Sequence, residues 1–112
     1  MAYTDKAEFQ VPRHIVQKGS VNIETITADK ALSYSDSTYQ IIKNSKGSHA
    51  DIRMPEKKNG VHFWIKVDAT SAHGIYVQEA DTTPIVSGTL SAGKAVLVVC
   101  DGSNWAIVFQ QA

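Results

Sequence analysis

Four histidines and one cysteine are the side chains in this sequence that could bind a transition metal or pair as a base and a nucleophile. The histidines never stand in the close His-x-His or His-x₃-His pairs that zinc sites usually show, and no cluster of carboxylates or thiols accompanies them. Cys100 ends an apolar run, where a cysteine usually serves as a small buried hydrophobe. We therefore expect no catalytic residue, no metal site and no cofactor. The histidines are His14, His49, His62 and His73.

Motifs that assemble enzymatic sites are also missing from the sequence. There is no glycine-rich phosphate loop, no Gly-x-Ser-x-Gly nucleophile elbow and no paired-carboxylate signature. We therefore expect a protein that is not an enzyme.

One segment gathers aromatic and basic side chains on a single face. Residues 61–67 alternate apolar residues with His62, Trp64 and Lys66, which is typical of a half-buried strand. Together with Tyr76, nearby in sequence, these three side chains could form a platform for stacking a sugar. They could instead form the outward face of a sheet at a subunit interface, where Trp and Tyr are enriched. We favour the interface.

The elements that position these residues follow β periodicity along most of the chain. Alternating or continuous apolar runs of strand length recur every eight to twelve residues, with turn signals such as Asn59-Gly60 between them. This pattern predicts an all-β domain, a small antiparallel β-sandwich or barrel, without a convincing helix. The predicted strands cover residues 21–26, 32–35, 39–43, 49–54, 61–67, 75–77, 85–86, 95–100 and 105–109.

The last two predicted strands form the centre of this interpretation. Residues 95–100 are uniformly apolar, the turn chemistry lies in Asp101–Asn104, and Trp105, Ile107 and Phe109 follow in alternation. Because neither strand has a polar face, we expect the domain core to cover one side. Either the core or a neighbouring subunit should cover the other.

The first twenty residues differ from the rest, since no helical or strand period holds for long and Pro12 discourages a helix. They suit either a disordered tail or an extended arm whose apolar residues a partner buries. We therefore divide the chain into an N-terminal arm, residues 1–20, and a single β-domain, residues 21–112. The apolar residues of the arm that could anchor it are Tyr3, Phe9, Val11, Pro12, Ile15 and Val16.

Composition excludes several classes of protein. Eleven basic and eleven acidic residues give a net charge of zero, which does not suggest binding to nucleic acid or to an anionic membrane. No apolar run approaches the roughly 20 residues needed to span a bilayer, and the first residues do not form a signal peptide. A single cysteine cannot form an intrachain disulfide. We expect a protein made in a cytoplasm.

Three segments carry a resemblance to a known group of proteins. They combine a turn–strand–Asp–strand phrase, a Pro and Gly turn followed by Phe-x-Ile-Lys, and an Ala-Gly strand ending in Asp-Gly-x-x-Trp. Together they resemble the β-domains of tailed-bacteriophage virion proteins, namely head-decoration (cement) proteins and modules of tail fibres and baseplates. Met54 stands where Leu is more usual before Pro55, a volume-conserving exchange. The segments are Ile26–Ile42, Arg53–Val67 and Ala92–Val108.

The resemblance implies a virion structural protein. The short chain that begins at Met1 favours a decoration protein on the outer capsid surface, made in the host cytoplasm, over a module of a long fibre. Such proteins bridge neighbouring copies of the phage major capsid protein and are often trimers. The resemblance thus implies a homo-oligomer with a trimer favoured, stabilising the capsid through multivalent contacts. The alternative is a tail fibre or baseplate structural protein, or a carbohydrate-binding adsorption module.

Overall fold

The computed structural model describes residues 18–111 of the chain, and all of its regular elements are β-strands. The expectation of an all-β protein is therefore confirmed, and no helix occurs within that range. The strands are β1 (Lys18–Ile26), β2 (Lys30–Ala31), β3 (Ser37–Asn44), β4 (Ala50–Arg53), β5 (His62–Val67), β6 (Ile75–Gln78), β7 (Ala95–Cys100) and β8 (Trp105–Gln110).

The strands form two sheets, and the chain alternates between them. A five-stranded sheet has the order β1-β3-β5-β7-β8, and a three-stranded sheet has the order β2-β4-β6. Among the first six strands, neighbouring strands of the same sheet run parallel to each other. The chain thus winds through three successive coils, each made of one strand from each sheet. The hairpin β7–β8 then completes the larger sheet.

Strand direction differs from the expectation of antiparallel pairing. Antiparallel ladders join β5 to β7 and β7 to β8, whereas the other four ladders are parallel. Alternation of apolar and polar residues is the same in both kinds of ladder, so periodicity could not distinguish them. The connection between parallel neighbours also contains a strand of the opposite sheet, which reads in sequence like a simple β-meander.

Both sheets contribute to one hydrophobic core. Phe63 and Ile65 of β5, Ile52 of β4, Val77 of β6 and Val98 of β7 have no solvent exposure. The burial pattern of β5 confirms the predicted alternation, with the apolar residues inside and His62, Trp64 and Lys66 outside. Phe63 is the largest fully buried side chain among the described residues.

A buried amide joins the two sheets at the end of β3. The side-chain nitrogen of Asn44 donates to the carbonyl oxygens of Ser48 (2.8 Å) and Gly74 (2.9 Å), and its side-chain oxygen accepts from the Lys46 N–H at 2.9 Å. Its backbone N–H donates to Ser71 Oγ at 3.0 Å. Asn44 thereby connects the five-stranded sheet to the loop that enters β6.

Several element boundaries differ from those predicted. The strand expected at residues 32–35 is only the two-residue β2, after which Leu32 is buried and Tyr34 lies in a turn. Residues 85–86 are not a strand, although the N–H groups of Ile85 and Val86 both donate to the Val77 carbonyl. The hairpin strand 95–100 occurs as predicted, and the core covers its inner side. The same expectation is wrong for β8, in which no residue is buried.

The expected division of the chain between residues 20 and 21 falls inside β1, which begins at Lys18. Residues 1–17 and residue 112 lie outside the described part. The whole set of proposed arm anchors, Tyr3, Phe9, Val11, Pro12, Ile15 and Val16, therefore lies outside it too.

Candidate interaction surface

The outward face of the five-stranded sheet carries an apolar row that crosses every strand. Cross-strand register places Val21 beside Tyr39, Tyr39 beside Trp64, Trp64 beside Leu97 and Leu97 beside Phe109. One apolar side chain from each of the five strands therefore lies in line. We call these residues, Val21, Tyr39, Trp64, Leu97 and Phe109, the apolar row.

Several members of this surface are strongly exposed. Phe109 is 49% exposed, Tyr39 is 42% exposed, and Ile23, two residues beyond Val21 on β1, is 75% exposed. The rings of Trp64 and Phe109 lie 6.0 Å apart in a tilted arrangement, which joins strands β5 and β8 although β7 separates them. Single exposed hydrophobic residues are ordinary, but a contiguous apolar patch usually marks an interaction site.

A shallow groove of about 370 Å³ runs along this face. Its lining includes Val21, Tyr39, Trp64, Lys66 and Ala95. The groove walls are therefore almost wholly apolar, with the aliphatic stem of Lys66 at one margin.

The charged strand residues on this face are lysines, and the carboxylate of Asp68, directly after β5, interacts with both of them. Lys43 and Lys66 lie on the same side of the apolar row, towards the C-terminal ends of β3 and β5. The one carboxylate in the five strands is Glu24, which lies in register with buried Ile42 and therefore belongs to the inner side of β1. Hydrogen bonds from Asn22 and then Lys30 lower the pKa of Glu24 below its ordinary value.

The structure separates one member of the predicted platform from the other three. His62, Trp64 and Lys66 share the outward face of β5. Tyr76 lies on β6 in the other sheet, where its ring contacts that of His49 at 5.5 Å. Trp64 and Tyr76 therefore do not form one stacking surface.

The remaining candidates for chemistry do not converge on a site. His49 and His73 pack edge to face at 5.6 Å, and His49 Nδ1 accepts the Gly74 N–H at 3.1 Å. Within residues 18–111 no group of three or more His, Cys, Asp or Glu side chains could hold a metal ion. Cys100 is fully buried, and its sulfur accepts the Gly102 N–H at 3.4 Å. His14 lies outside the described residues.

A second, polar concavity lies beside Trp105 at the end of the hairpin. Lys57 and Glu79 line it and form an ion pair of 3.1 Å, which raises the pKa of Lys57 above its ordinary value. Glu56 and Asp81 also line the concavity, so carboxylates outnumber the one lysine there.

Sequence reasoning found Trp64 but missed its neighbours in the row. Tyr39, Leu97 and Phe109 were each recognisable as strand residues, yet their alignment depends on the register of four ladders. The available signal was alternation in β1, where Val21 and Ile23 lie on one side. This alternation shows that Val21 and Ile23 extend the exposed apolar face only once β1 is known to be an edge strand of the same sheet.

Comparison with protein-family models, curated proteins and solved structures found no match to this chain. Residues 18–111 contain no helix of the length and apolar character required to cross a membrane.

Proposed function

We propose that this chain is a non-enzymatic virion structural protein that decorates the outside of a phage capsid and bridges neighbouring major capsid proteins. The observation that carries an assembly role is the apolar row, because it spans all five strands of one sheet face. We name the capsid as the partner because the three segments given above resemble phage head-decoration proteins.

The proposed mechanism gives the β-domain and the N-terminal segment different roles. Two sheets sharing one core hold the outward face in a fixed shape. The apolar residues of the N-terminal segment anchor the protein to capsid subunits, and association of several copies makes the weak single contacts multivalent. Such bridging resists the outward pressure of packaged DNA.

Immunogold labelling of intact virions, with antibody against the full-length protein, tests where this chain resides. Label on the head supports decoration. Label on the tail replaces it with the fibre or baseplate alternative, and particles without label overturn a virion role altogether.

Point variants of the full-length chain test the anchoring segment. The double variant Phe9→Ser with Ile15→Ser should lower binding to expanded capsids by at least tenfold, because two apolar anchors are lost. The matched polar double variant Gln10→Ser with Gln17→Ser should bind like the wild type. Equal binding by all three proteins would remove the proposed role of this segment.

The carbohydrate-binding alternative has one specific observation in its favour. Tyr39, Trp64 and Phe109 place three aromatic rings on adjacent or next-adjacent strands of the exposed groove face, and aromatic faces can stack on sugars. A glycan array probed with the full-length protein and with Trp64→Ala tests it. Binding that the variant loses supports an adsorption module, whereas an array without signal excludes the tested glycans.

A further inference from the structure

We propose that a second copy of this chain covers the outward face of the five-stranded sheet, with apolar row packed against apolar row. This inference does not depend on the capsid: the face could join two copies whether or not the protein binds a phage head. It assigns to the interface Val21, Tyr39, Leu97 and Phe109, in addition to Trp64.

The size of the face suits another folded domain. Five strands spaced about 4.8 Å apart, each six to nine residues long, present roughly 500–700 Å² of flat sheet. A stable protein interface buries about 800 Å² per partner, so the sheet face with its margins is close to that requirement. A single extended peptide would cover a strip only about one strand spacing wide and leave most of the row exposed.

The arrangement of charge selects how two copies meet. In an isologous contact each residue lies near its symmetry mate or near a fixed counterpart on the other copy. If the two-fold axis ran along the strands, the lysine margins of both copies would lie against each other. Lys43 and Lys66 would then face their own counterparts, and the one carboxylate shown to interact with both, that of Asp68, leaves two lysines for each carboxylate, which disfavours that arrangement.

A two-fold axis along the apolar row avoids this repulsion. Each row residue then faces its own counterpart, so that the Trp64 rings of the two copies pack together. Lys66, two positions beyond Trp64, lies over His62 of the second copy, two positions before it. Lys43, four positions beyond Tyr39, lies over the turn before β3, around Ser35. This orientation keeps the two lysine margins apart.

Packing of this kind is the ordinary way in which sheets associate. Two sheets pack face to face about 10 Å apart with interdigitating side chains. Aromatic residues at the centre of an interface commonly dominate its affinity. Trp64 lies on β5, the central strand of the five, and is therefore the expected hot spot.

Light scattering after size-exclusion chromatography of the full-length protein tests the association. The wild type should have the mass of two chains at micromolar concentration, because a two-fold contact joins chains in pairs, and a mass of three chains would overturn the proposal. Trp64→Lys should weaken self-association at least about 30-fold, which corresponds to the loss of one hot-spot side chain. Tyr76→Lys, on the outward face of the other sheet, is the matched control and should associate like the wild type. Circular dichroism should show that both variants retain the wild-type fold.

Cross-linking provides a second measurement that a folding defect cannot mimic. Leu97→Cys lies in the apolar row, and a short bismaleimide should join two such chains covalently. Tyr76→Cys should not cross-link, and buried Cys100 should stay unreactive in the native wild type. A protein that is monomeric at all concentrations would overturn the proposal. So would an oligomer that tolerates Trp64→Lys while Leu97→Cys fails to cross-link.

Discussion

The two outward faces of this protein are built on the same strand alternation but carry opposite chemistry. On the three-stranded sheet the outward residues of β4 and β6 are Asp51, Arg53, Tyr76 and Gln78. Asp51 accepts from Arg53 Nη2 and from Gln78 Nε2, each at 3.4 Å. The corresponding positions of the five-stranded sheet form the apolar row instead. The first face is suited to water and the second to contact with protein.

The edges of the two sheets differ in the same sense. Antiparallel bridges from Pro84 and Leu90 cover the outer side of β6, and β2 at the other edge has only two residues. The five-stranded sheet ends in β1 and β8, which are nine and six residues long, and within residues 18–111 no strand pairs with their outer sides. Long unprotected edges favour association with other chains. Face and edges therefore both indicate the larger sheet as the assembly side.

The largest expected effect comes from the core that supports both faces. Phe63→Ala removes the largest fully buried side chain, and we expect the free energy of unfolding to fall by about 3–5 kcal/mol because a cavity remains. Chemical denaturation measures this change. Lys66→Ala, on the exposed side of the same strand, should stay within about 0.5 kcal/mol of the wild type. If Phe63→Ala cost no more than Lys66→Ala, the two sheets would not share one core as described.

The sequence was sufficient for everything that depends on local pattern. The alternation in β5 separates Phe63 from Trp64 without any structure, and the turn chemistry at 101–104 fixes the hairpin. In that turn Asp101 Oδ1 accepts the N–H groups of Ser103 at 2.8 Å and Asn104 at 2.7 Å. These backbone donors, Asn104 first, lower the pKa of Asp101. Such contacts join near neighbours in the chain, so residue types reveal them.

What the sequence could not provide is the relation between distant segments. Tyr39 meets Trp64 across a parallel ladder that joins residues 25 positions apart, and an alternating pattern contains no information about that direction or offset. The separation of Tyr76 from Trp64 has the same cause, because only the topology shows that β5 and β6 belong to different sheets. The sequence therefore identified Trp64, the central residue of the candidate surface, but not how far the surface extends across the sheet.

An intermediate effect is expected where the two sheets are joined. Asn44→Ala removes both side-chain donors and leaves the buried Gly74 carbonyl with only the longer bond from the Ala50 N–H, at 3.4 Å. We expect a loss of about 1–3 kcal/mol in the free energy of unfolding, because several hydrogen bonds to buried or half-buried groups are lost together. Hydrogen exchange should quicken first in β6, the strand that follows Gly74.

Asn104→Ala, in the exposed hairpin turn, is the control and should change stability by no more than about 0.5 kcal/mol. If Asn44→Ala lowered protection from hydrogen exchange equally in β6, β7 and β8, Asn44 would not be a local connection between the two sheets. Other contacts would then have to hold the sheets together.

The smallest expected effect is the loss of stability at low pH that comes from Asp29, on the polar side of the molecule. Asp29 binds Lys46 Nζ at 2.8 Å and the Asp51 N–H of β4 at 2.9 Å. These two contacts, Lys46 first, lower the pKa of Asp29. The native state thus binds this proton more weakly than the unfolded chain does, and the stabilisation is present above the ordinary carboxyl pKa of about 4. It is lost as the pH falls through the lowered native pKa.

Asp29→Asn should therefore destabilise the protein slightly at pH 7, by less than Asn44→Ala because the ion pair is solvent-exposed. The difference between variant and wild type should shrink towards zero well below pH 4. Urea denaturation across this pH range measures it. Glu56→Gln is the control, since the described contact of Glu56 is the Tyr34 hydroxyl on its backbone carbonyl. Asp29 contacts Lys46 and β4 rather than the outward face of the five-stranded sheet, so self-association of Asp29→Asn at neutral pH should match that of the wild type. Weakened association would show that the two faces are coupled through the core rather than independent.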